Sequence, residues 1–237
     1  MAEKVILGLC TSGSRLKLAA ARGPRFFRAQ KKAYNQEKVL FGMARALLAK
    51  AGADLRSVDT ICAARGPGRF TGIRISLTLA GALKAMAGAG VYTATLFEIL
   101  ALQAFESPDF RGWSAKTGGS RLAVLVHAFK DEYFCQLFKG GRALKFPRPD
   151  GEPVWLKSEE MKALLAGLAR PLYIVADSEE DPAIYGLAPG DAALAPARVS
   201  KILPDYIIKA ALAYKNKTLK PLYLKPAKYE LENNVRP

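Results

Sequence analysis

The residues best suited to bind an anion lie in the stretch ARGPGRFTGIRIS, which covers positions 64–76 of this 237-residue chain. Its glycines leave backbone N–H groups free to face a ligand, and a helix predicted to begin near Thr71 would direct its positive end at the same place. The spacing fits neither the Walker A pattern nor the G-x-G-x-x-G pattern of dinucleotide-binding folds. The glycines and the proline could equally shape a tight turn between a strand and a helix, and both interpretations stay open at this point.

Histidine and cysteine indicate little catalytic chemistry. Cys10, Cys62 and Cys135 lie in apolar runs and are spaced too widely for a metal knuckle, which is typical of free buried thiols in a reducing compartment. The single histidine, His127, excludes metal sites that require two histidines. A Ser-His-Asp triad requires only one, but the chain has no Gly-x-Ser-x-Gly elbow. We therefore expect His127 to be structural, and we predict neither a catalytic residue nor a metal site.

The elements that would position these residues follow the order βββαβαβα in the first half of the chain. The apolar run KVILGLC predicts a buried strand, RLKLAAA a second, and the basic run RFFRAQKKAY an edge strand. Apolar residues at three- and four-residue steps predict a helix over 36–51 and another over 73–87. The runs TICAA and VYTAT predict strands, and LFEILALQAF predicts a third helix.

The second half repeats this order after the polar segment ESPDFRGWSAKTGGS. The sequence predicts a hairpin of RLAVLVHAF and EYFCQLF, a turn and a third strand in GGRALKF, a helix capped by Ser158, the strand PLYIVA and a last helix over 204–214. Two βββαβ units are the plan of the actin-like fold. The predicted class is therefore α/β, a two-lobed actin-like (ASKHA, ribonuclease H-like) fold with lobes at 1–107 and 108–237.

The turn after the first strand is where actin-like folds hold a nucleotide phosphate. The candidate residues are Thr11, Ser12, Gly13 and Ser14. An acidic residue normally precedes them and acts through a metal ion, but here Cys10 stands at that place. A thiol is a poor ligand for Mg²⁺, which prefers oxygen. We therefore regard this turn as a vestigial phosphate loop.

The two predicted helices of the first half could form a surface for a partner. The second is apolar on almost every side, and small residues within it would let another helix approach closely. Either the lobe's own sheet covers these helices or a second protein does. The predicted partner-interface residues are Leu40, Met43, Leu47, Leu77, Gly81 and Ala85.

Four segments together resemble the motifs of one family. ILGLCTSGSRLKLA resembles its opening DTS hairpin, HAFKDEYFCQLF its DARRGEVY hairpin, and PLYLKP its closing motif. ARGPGRFTGIRIS resembles its most distinctive motif. The family is TsaB, also called YeaZ. The residues of this family-motif loop, which is also the candidate anion site, are Gly66, Pro67, Gly68, Phe70, Thr71, Gly72 and Arg74.

The resemblance implies a two-lobed actin-like fold and a non-catalytic role in bacterial synthesis of threonylcarbamoyladenosine, the tRNA modification beside the anticodon. It implies that the chain is a homodimer when alone and that it pairs through its first two helices with a catalytic paralogue, TsaD. A small ATPase, TsaE, joins them. Contact with tRNA would be indirect, through this complex. No cofactor would be required, and weak ATP or ADP binding is expected only in the complex. The metal-binding histidine pair of TsaD is absent, so the chain lacks the metal ligands that the peptidase activity in the older glycoprotease-like label would require.

The chain departs from the family pattern at three places. Cys10 replaces the aspartate of DTS, other residues stand at 34–36 in place of a histidine–serine pair, and 127–129 displace the aspartate of the second hairpin. These departures weaken the case for nucleotide handling and leave the scaffold role intact. On this interpretation, the glycine-rich loop fixes the geometry between a core strand and the partner-binding helix.

The net charge of +15 favours an anionic partner, nucleic acid first, although it could also serve solubility. Two other functions stay open. One is a divergent actin-like small-molecule kinase or ATPase, against which Cys10 argues. The other is an autonomous RNA-binding module using strand 25–32 and the tail 198–228, but it lacks a basic–aromatic signature. No apolar run is long enough to span a membrane and the first residues read as a strand, so we expect a cytoplasmic protein without membrane contact.

Overall fold

The computed structural model describes residues 3–141 and 143–225, which form two β-sheets with helices on both faces of each. The elements of the first half are β1 Val5–Cys10, β2 Arg15–Arg22, β3 Arg25–Lys32, α1 Gln36–Lys50, β4 Thr60–Ala64, α2 Phe70–Ala87, β5 Gly90–Ala94 and α3 Leu96–Glu106. Those of the second half are α4 Pro108–Thr117, β6 Arg121–Phe129, β7 Glu132–Lys139, β8 Arg148–Pro149, β9 Val154–Lys157, α5 Ser158–Gly167, β10 Leu172–Ala176, β11 Ala193–Leu194 and α6 Pro204–Tyr214.

The two sheets share one topology. The first has the order β3-β2-β1-β4-β5, with an antiparallel meander of β1, β2 and β3 followed by parallel β4 and β5. The second has the order β11-β10-β6-β7-β8, with β9 also paired to β7; β6 and β7 are antiparallel, and β10 and β11 are added in parallel. This repeat confirms the predicted two-lobed actin-like fold, with β3 at an edge as expected.

The central strands of the first sheet, β1, β2 and β4, are buried on both faces, which explains their nearly continuous apolar sequence. Along β1, Leu7 and Leu9 face a cluster that includes α1 and α2, while Cys10 faces a second cluster on the opposite side of the sheet. In the second lobe, α5 covers one face and α3 covers the other. The layers therefore run from α1 and α2 through both sheets to α5.

Helices α3 and α6 form the layer between the sheets and pack against each other. Helix α3 lies on β6 and β10, whereas α6, near the end of the chain, lies on β1, β4 and β5 of the first sheet. Gly8 permits this contact, because a Cβ there would lie 2.7 Å from Ile208 Cγ1. The limits 1–107 and 108–237 stay a prediction. Helix α6 belongs by sequence to the second of these lobes but packs on the sheet of the first.

Helix α4 was not predicted, although the polar segment 106–120 carries its end signals. Ser107 Oγ accepts a hydrogen bond from the Phe110 N–H at 3.2 Å, Pro108 occupies the first turn and Gly118 ends the helix in the left-handed region. Phe110 is buried and anchors the helix on the core. The segment is therefore part of the second lobe's packing and not an open linker.

Four other details differ from the sequence-based expectation. The strand predicted in GGRALKF is wrong, because its glycines form a turn and the short β8 and β9 pair with β7 in its place. Ser158 is the first helical residue, and its hydroxyl donates to the Asp131 carbonyl at 3.1 Å. Helix α2 begins three residues before the predicted 73, and β11 was not predicted. In the part of the chain described, no helix has the length and apolar character needed to cross a membrane.

Candidate functional site

The glycine-rich loop lies directly on the turn between β1 and β2. A Cβ on Gly72 would stand 1.9 Å from the Thr11 carbonyl oxygen, and one on Gly68 would stand 2.5 Å from that of Ser12. The Thr11 hydroxyl donates to the Gly72 carbonyl at 2.5 Å and is also hydrogen-bonded to the Ser76 hydroxyl. The glycines of this loop thus allow two backbones to touch.

The other side of the loop is covered by the chain's own C-terminal segment. Gly66, at φ +109°, lies against the Leu222 carbonyl, which a Cβ would approach to 2.7 Å. Phe70 stacks on Tyr223 with ring centroids 4.8 Å apart, and the Arg74 guanidinium lies 3.9 Å above the Phe70 ring. Phe70 and Arg74 therefore contact this segment. The last residue of the closing motif PLYLKP, at position 226, lies outside the described residues, as do residues 226–228 of the predicted basic tail.

These contacts favour the structural interpretation of the loop over the anion-binding one. Pro67 is buried, Thr71 is exposed at the start of α2, and the remaining motif residues contact the β1–β2 turn or the C-terminal segment. Anion binding by the loop stays a prediction. What the loop does in the structure is to hold α2 against the end of β1.

The vestigial phosphate loop already holds a carboxylate. The Ser14 N–H lies 2.9 Å from both oxygens of Glu180, and the Ser14 hydroxyl donates to Oε1 at 2.8 Å. A Cβ on Gly13 would lie 2.6 Å from the same oxygen, so the glycine makes room for it. Glu180 thus takes the donors of the turn that was predicted to be a vestigial phosphate loop, and sequence reasoning did not find it.

A cavity of about 430 Å³ lies beside this contact, between the lobes. Eight of its lining residues carry polar or reactive side chains: Cys10, Ser12, Arg15, Lys17, Arg69, His127, Asp177 and Glu180. Asp177 is 3% exposed, and its Oδ1 has no hydrogen-bond partner in the described part of the chain. Burial raises the pKa of Asp177 to about 6, and the positive charge of Lys17 opposes that rise.

Ion pairs cross from the first lobe to the second along this cleft. The Lys17 ammonium, whose side chain is 4% exposed, contacts the Glu179 carboxylate and donates to the Ile202 carbonyl at 3.0 Å. Arg15 Nε lies 3.3 Å from the other Glu179 oxygen. The acidic segment after β10 thereby neutralises the basic start of β2.

His127 stabilises a turn. Its Nε2 lies 2.8 Å from the Lys130 carbonyl oxygen in the β6–β7 hairpin, where Lys130 has a φ of +52°. Within 3–141 and 143–225, no three His, Cys, Asp or Glu side chains are grouped so as to hold a metal ion.

The thiols are expected to be unreactive in the native protein. Cys10, Cys62 and Cys135 are all buried, and burial raises the pKa of Cys62 and of Cys135 to about 12. Because the thiolate is the reactive form, 5,5′-dithiobis(2-nitrobenzoate) at pH 8 should label none of them before unfolding and all of them in guanidinium. Rapid labelling of a thiol without denaturant would contradict this burial.

The predicted partner interface requires correction. Leu40, Leu47 and Leu77 are buried against the first lobe's own sheet, so they cannot meet a partner. An apolar stripe on a helix predicts that this face of the helix is buried, but it does not indicate whether the chain's own sheet or a partner buries it. Met43 and Gly81 are half-buried, the latter beside Leu219.

The outward side of α1 and α2 has a different composition. We call it the α1–α2 surface, and its exposed residues include Phe41, Gly42, Ala46, Ala49, Thr78, Ala85 and Met86. Of the predicted set, Ala85 belongs to it. Phe41 is 51% exposed and Met86 is 86% exposed.

Residues 30–117, which contain α1 and α2, match the family model described as TsaD, tRNA N6-adenosine threonylcarbamoyltransferase. A Pseudomonas aeruginosa protein described as similar to the peptidase YeaZ superposes with a TM-score of 0.70 at 22% identity, covering 94% of this chain and 100% of that one. YeaZ from Pseudomonas aeruginosa superposes with a TM-score of 0.67 at 22% identity, covering 93% and 100%. No curated protein sequence matches the chain. The chain thus has the fold of the YeaZ proteins, in agreement with the resemblance that its motifs indicate.

Proposed function

We propose that this protein is a non-catalytic partner subunit of the complex that installs threonylcarbamoyl on adenosine beside the tRNA anticodon, and that it binds a TsaD-type catalytic subunit. The observation that carries the proposal is the match of residues 30–117 to the TsaD family model, within a chain that has the YeaZ fold. The matched segment contains both helices of the α1–α2 surface.

The α1–α2 surface has the composition of a helix-packing interface. Aromatic residues and methionine are enriched where proteins meet, and Phe41 and Met86 supply both on neighbouring helices. Gly42, Ala46 and Ala49 recur at steps of four and three residues, so they share one side of α1 and would let another helix approach closely. This surface suits two helices of a related lobe better than it suits a small molecule.

The same surface would serve a homodimer when the chain is alone, so a second copy and the TsaD-type subunit would compete for it. A TsaE-type ATPase would join the assembled complex. The exposed β3 edge carries Arg25, Lys31 and Lys32, whose charge would support tRNA held by the complex without reading its sequence.

Co-expression tests the central proposal. The tagged chain, expressed with the TsaD-type subunit of its own host, should retain that subunit through size exclusion in a complex of defined stoichiometry. Loss of the chain from the host should lower threonylcarbamoyladenosine in its tRNA, measured by mass spectrometry of nucleosides. A host whose modification is unchanged, and whose TsaD-type subunit elutes alone, would refute the proposal.

No nucleotide is required by the isolated chain in this proposal. The donors of the β1–β2 turn are held by Glu180, and Cys10 stands where a carboxylate would hold Mg²⁺ through its oxygens. Isothermal titration with MgATP should therefore give no saturable heat, and phosphate release should equal that of a heat-inactivated sample. Saturable binding together with turnover that is lost in Ser14→Ala would favour an actin-like kinase or ATPase instead.

A further inference from the structure

The two lobes contact each other at the base and at the mouth of the cleft, in addition to the C-terminal segment that covers the glycine-rich loop. At the base of the cleft, α3 and α6 pack against each other within one apolar cluster. At the mouth, the segment after β10 reaches the β1–β2 turn and the start of β2. We infer that Glu179 and Glu180 form a latch that holds the lobes in their closed relation, with Glu180 seated in the turn's anion position.

The Glu180 side of the latch is a fully formed carboxylate site. Both oxygens receive the Ser14 N–H at 2.9 Å, and one also receives the Ser14 hydroxyl at 2.8 Å. Hydrogen bonds to an ionised acceptor are stronger than neutral ones and are directional. Because Gly13 leaves the necessary space, the turn is shaped for a carboxylate that comes from the opposite lobe 166 positions further along the chain.

On the other side of the latch, the Glu179 carboxylate pairs with the buried ammonium of Lys17. Lys17 is 4% exposed at its side chain, and Glu179 is 19% exposed. A buried ammonium that loses its paired carboxylate loses much of its charge compensation, which is costly, although the Asp177 carboxylate of the same cavity would still attract Lys17. Separation of the lobes would expose Lys17 to water, so removal of Glu179 favours the open relation. Arg15 adds a second, more exposed contact to the same carboxylate.

The latch would set the angle between the α1–α2 surface and the second lobe. Both carboxylates belong to the short segment after β10, whereas Ser14, Arg15 and Lys17 belong to the turn and strand that follow β1. Any movement of one sheet relative to the other about the α3–α6 base would break these contacts together. An anion that took the Ser14 donors would first have to displace Glu180.

Distance measurement between the lobes tests the latch. Spin labels attached at Lys50→Cys on α1 and Ala163→Cys on α5 would report the inter-lobe distance by pulsed electron resonance, because both sites are exposed and the native thiols are buried. Labelled protein would be diluted with unlabelled protein to remove any distance between copies. We expect one narrow distribution in the parent, and a broader one shifted in its mean in the variant that combines Glu179→Ala with Glu180→Ala.

The matched control is Glu152→Ala, which removes an exposed carboxylate of the same lobe and should leave the distribution unchanged. A double variant with the parent's distribution would overturn the latch. Should the double variant fail to fold, Glu180→Gln is the replacement, because it keeps the shape and removes only the charge. Broadening in that variant supports the latch, and an unchanged distribution overturns it.

Discussion

Gly72→Ala is expected to cost about 3 kcal/mol of unfolding free energy or more. The new Cβ would stand 1.9 Å from the Thr11 carbonyl oxygen and 2.9 Å from its carbonyl carbon, which are backbone atoms and cannot rotate away. Helix α2 would have to move away from the end of β1. That movement would break the hydrogen bond from the Thr11 hydroxyl to the Gly72 carbonyl.

Urea unfolding followed by circular dichroism would measure this loss, with Gly112→Ala as the control. Gly112 lies in the middle of α4, and a Cβ there would meet no atom within 4 Å. Alanine favours a helix over glycine by roughly 0.5–1 kcal/mol, so the control should gain stability. Equal midpoints for Gly72→Ala and the parent would show that the loop and the turn do not touch as described.

Phe41→Asp is expected to prevent capture of a TsaD-type subunit and to give a folded monomer. Phe41 is 51% exposed, so its replacement removes little from the core, while a central aromatic anchor of an interface is typically worth 2 kcal/mol or more, about 30-fold in affinity. The aspartate would also have to lose its water in any helix-packed complex. Sedimentation would report the mass, and immobilised TsaD-type subunit would report the affinity.

The matched control is Phe129→Asp on the β6–β7 hairpin. Phe129 is 58% exposed and belongs to the other lobe, so this variant makes the same chemical change away from the α1–α2 surface. It should dimerise and bind like the parent. If Phe41→Asp also dimerises and binds like the parent, the partner surface lies elsewhere on the molecule.

The fold could be predicted because its signals are local. The strand at β1 is a continuous apolar run, α1 follows a three- and four-residue period, and the repeated order of elements indicates the actin-like plan. The α4 helix could also have been predicted from Ser107, Pro108 and Gly118, which are ordinary end signals. It was missed because its composition is polar and only Phe110 is buried.

The cleft contacts could not be predicted, because they join residues far apart in the chain. Ser14 and Glu180 are 166 positions apart, and neither belongs to a motif that names the other. The exposed residues of α1 and α2 could not be predicted for another reason. Leu40 and Phe41 are neighbours in sequence and similar in hydrophobicity, yet one is 2% exposed and the other is 51% exposed. Only the position of the sheet separates a core residue from a surface residue.

The placement of α6 has a consequence for synthesis on the ribosome. Five strands and three helices of the first lobe have emerged long before residue 204, but the inner face of their sheet, which includes Cys10, Cys62 and Ala94, is covered by α6. Chains grow at about 5–20 residues per second, so this apolar face stays uncovered for several seconds while the second lobe is made. During this interval the nascent first lobe is exposed to chaperones and to aggregation. The interval ends only when residue 214 has left the exit tunnel and α6 can cover the sheet.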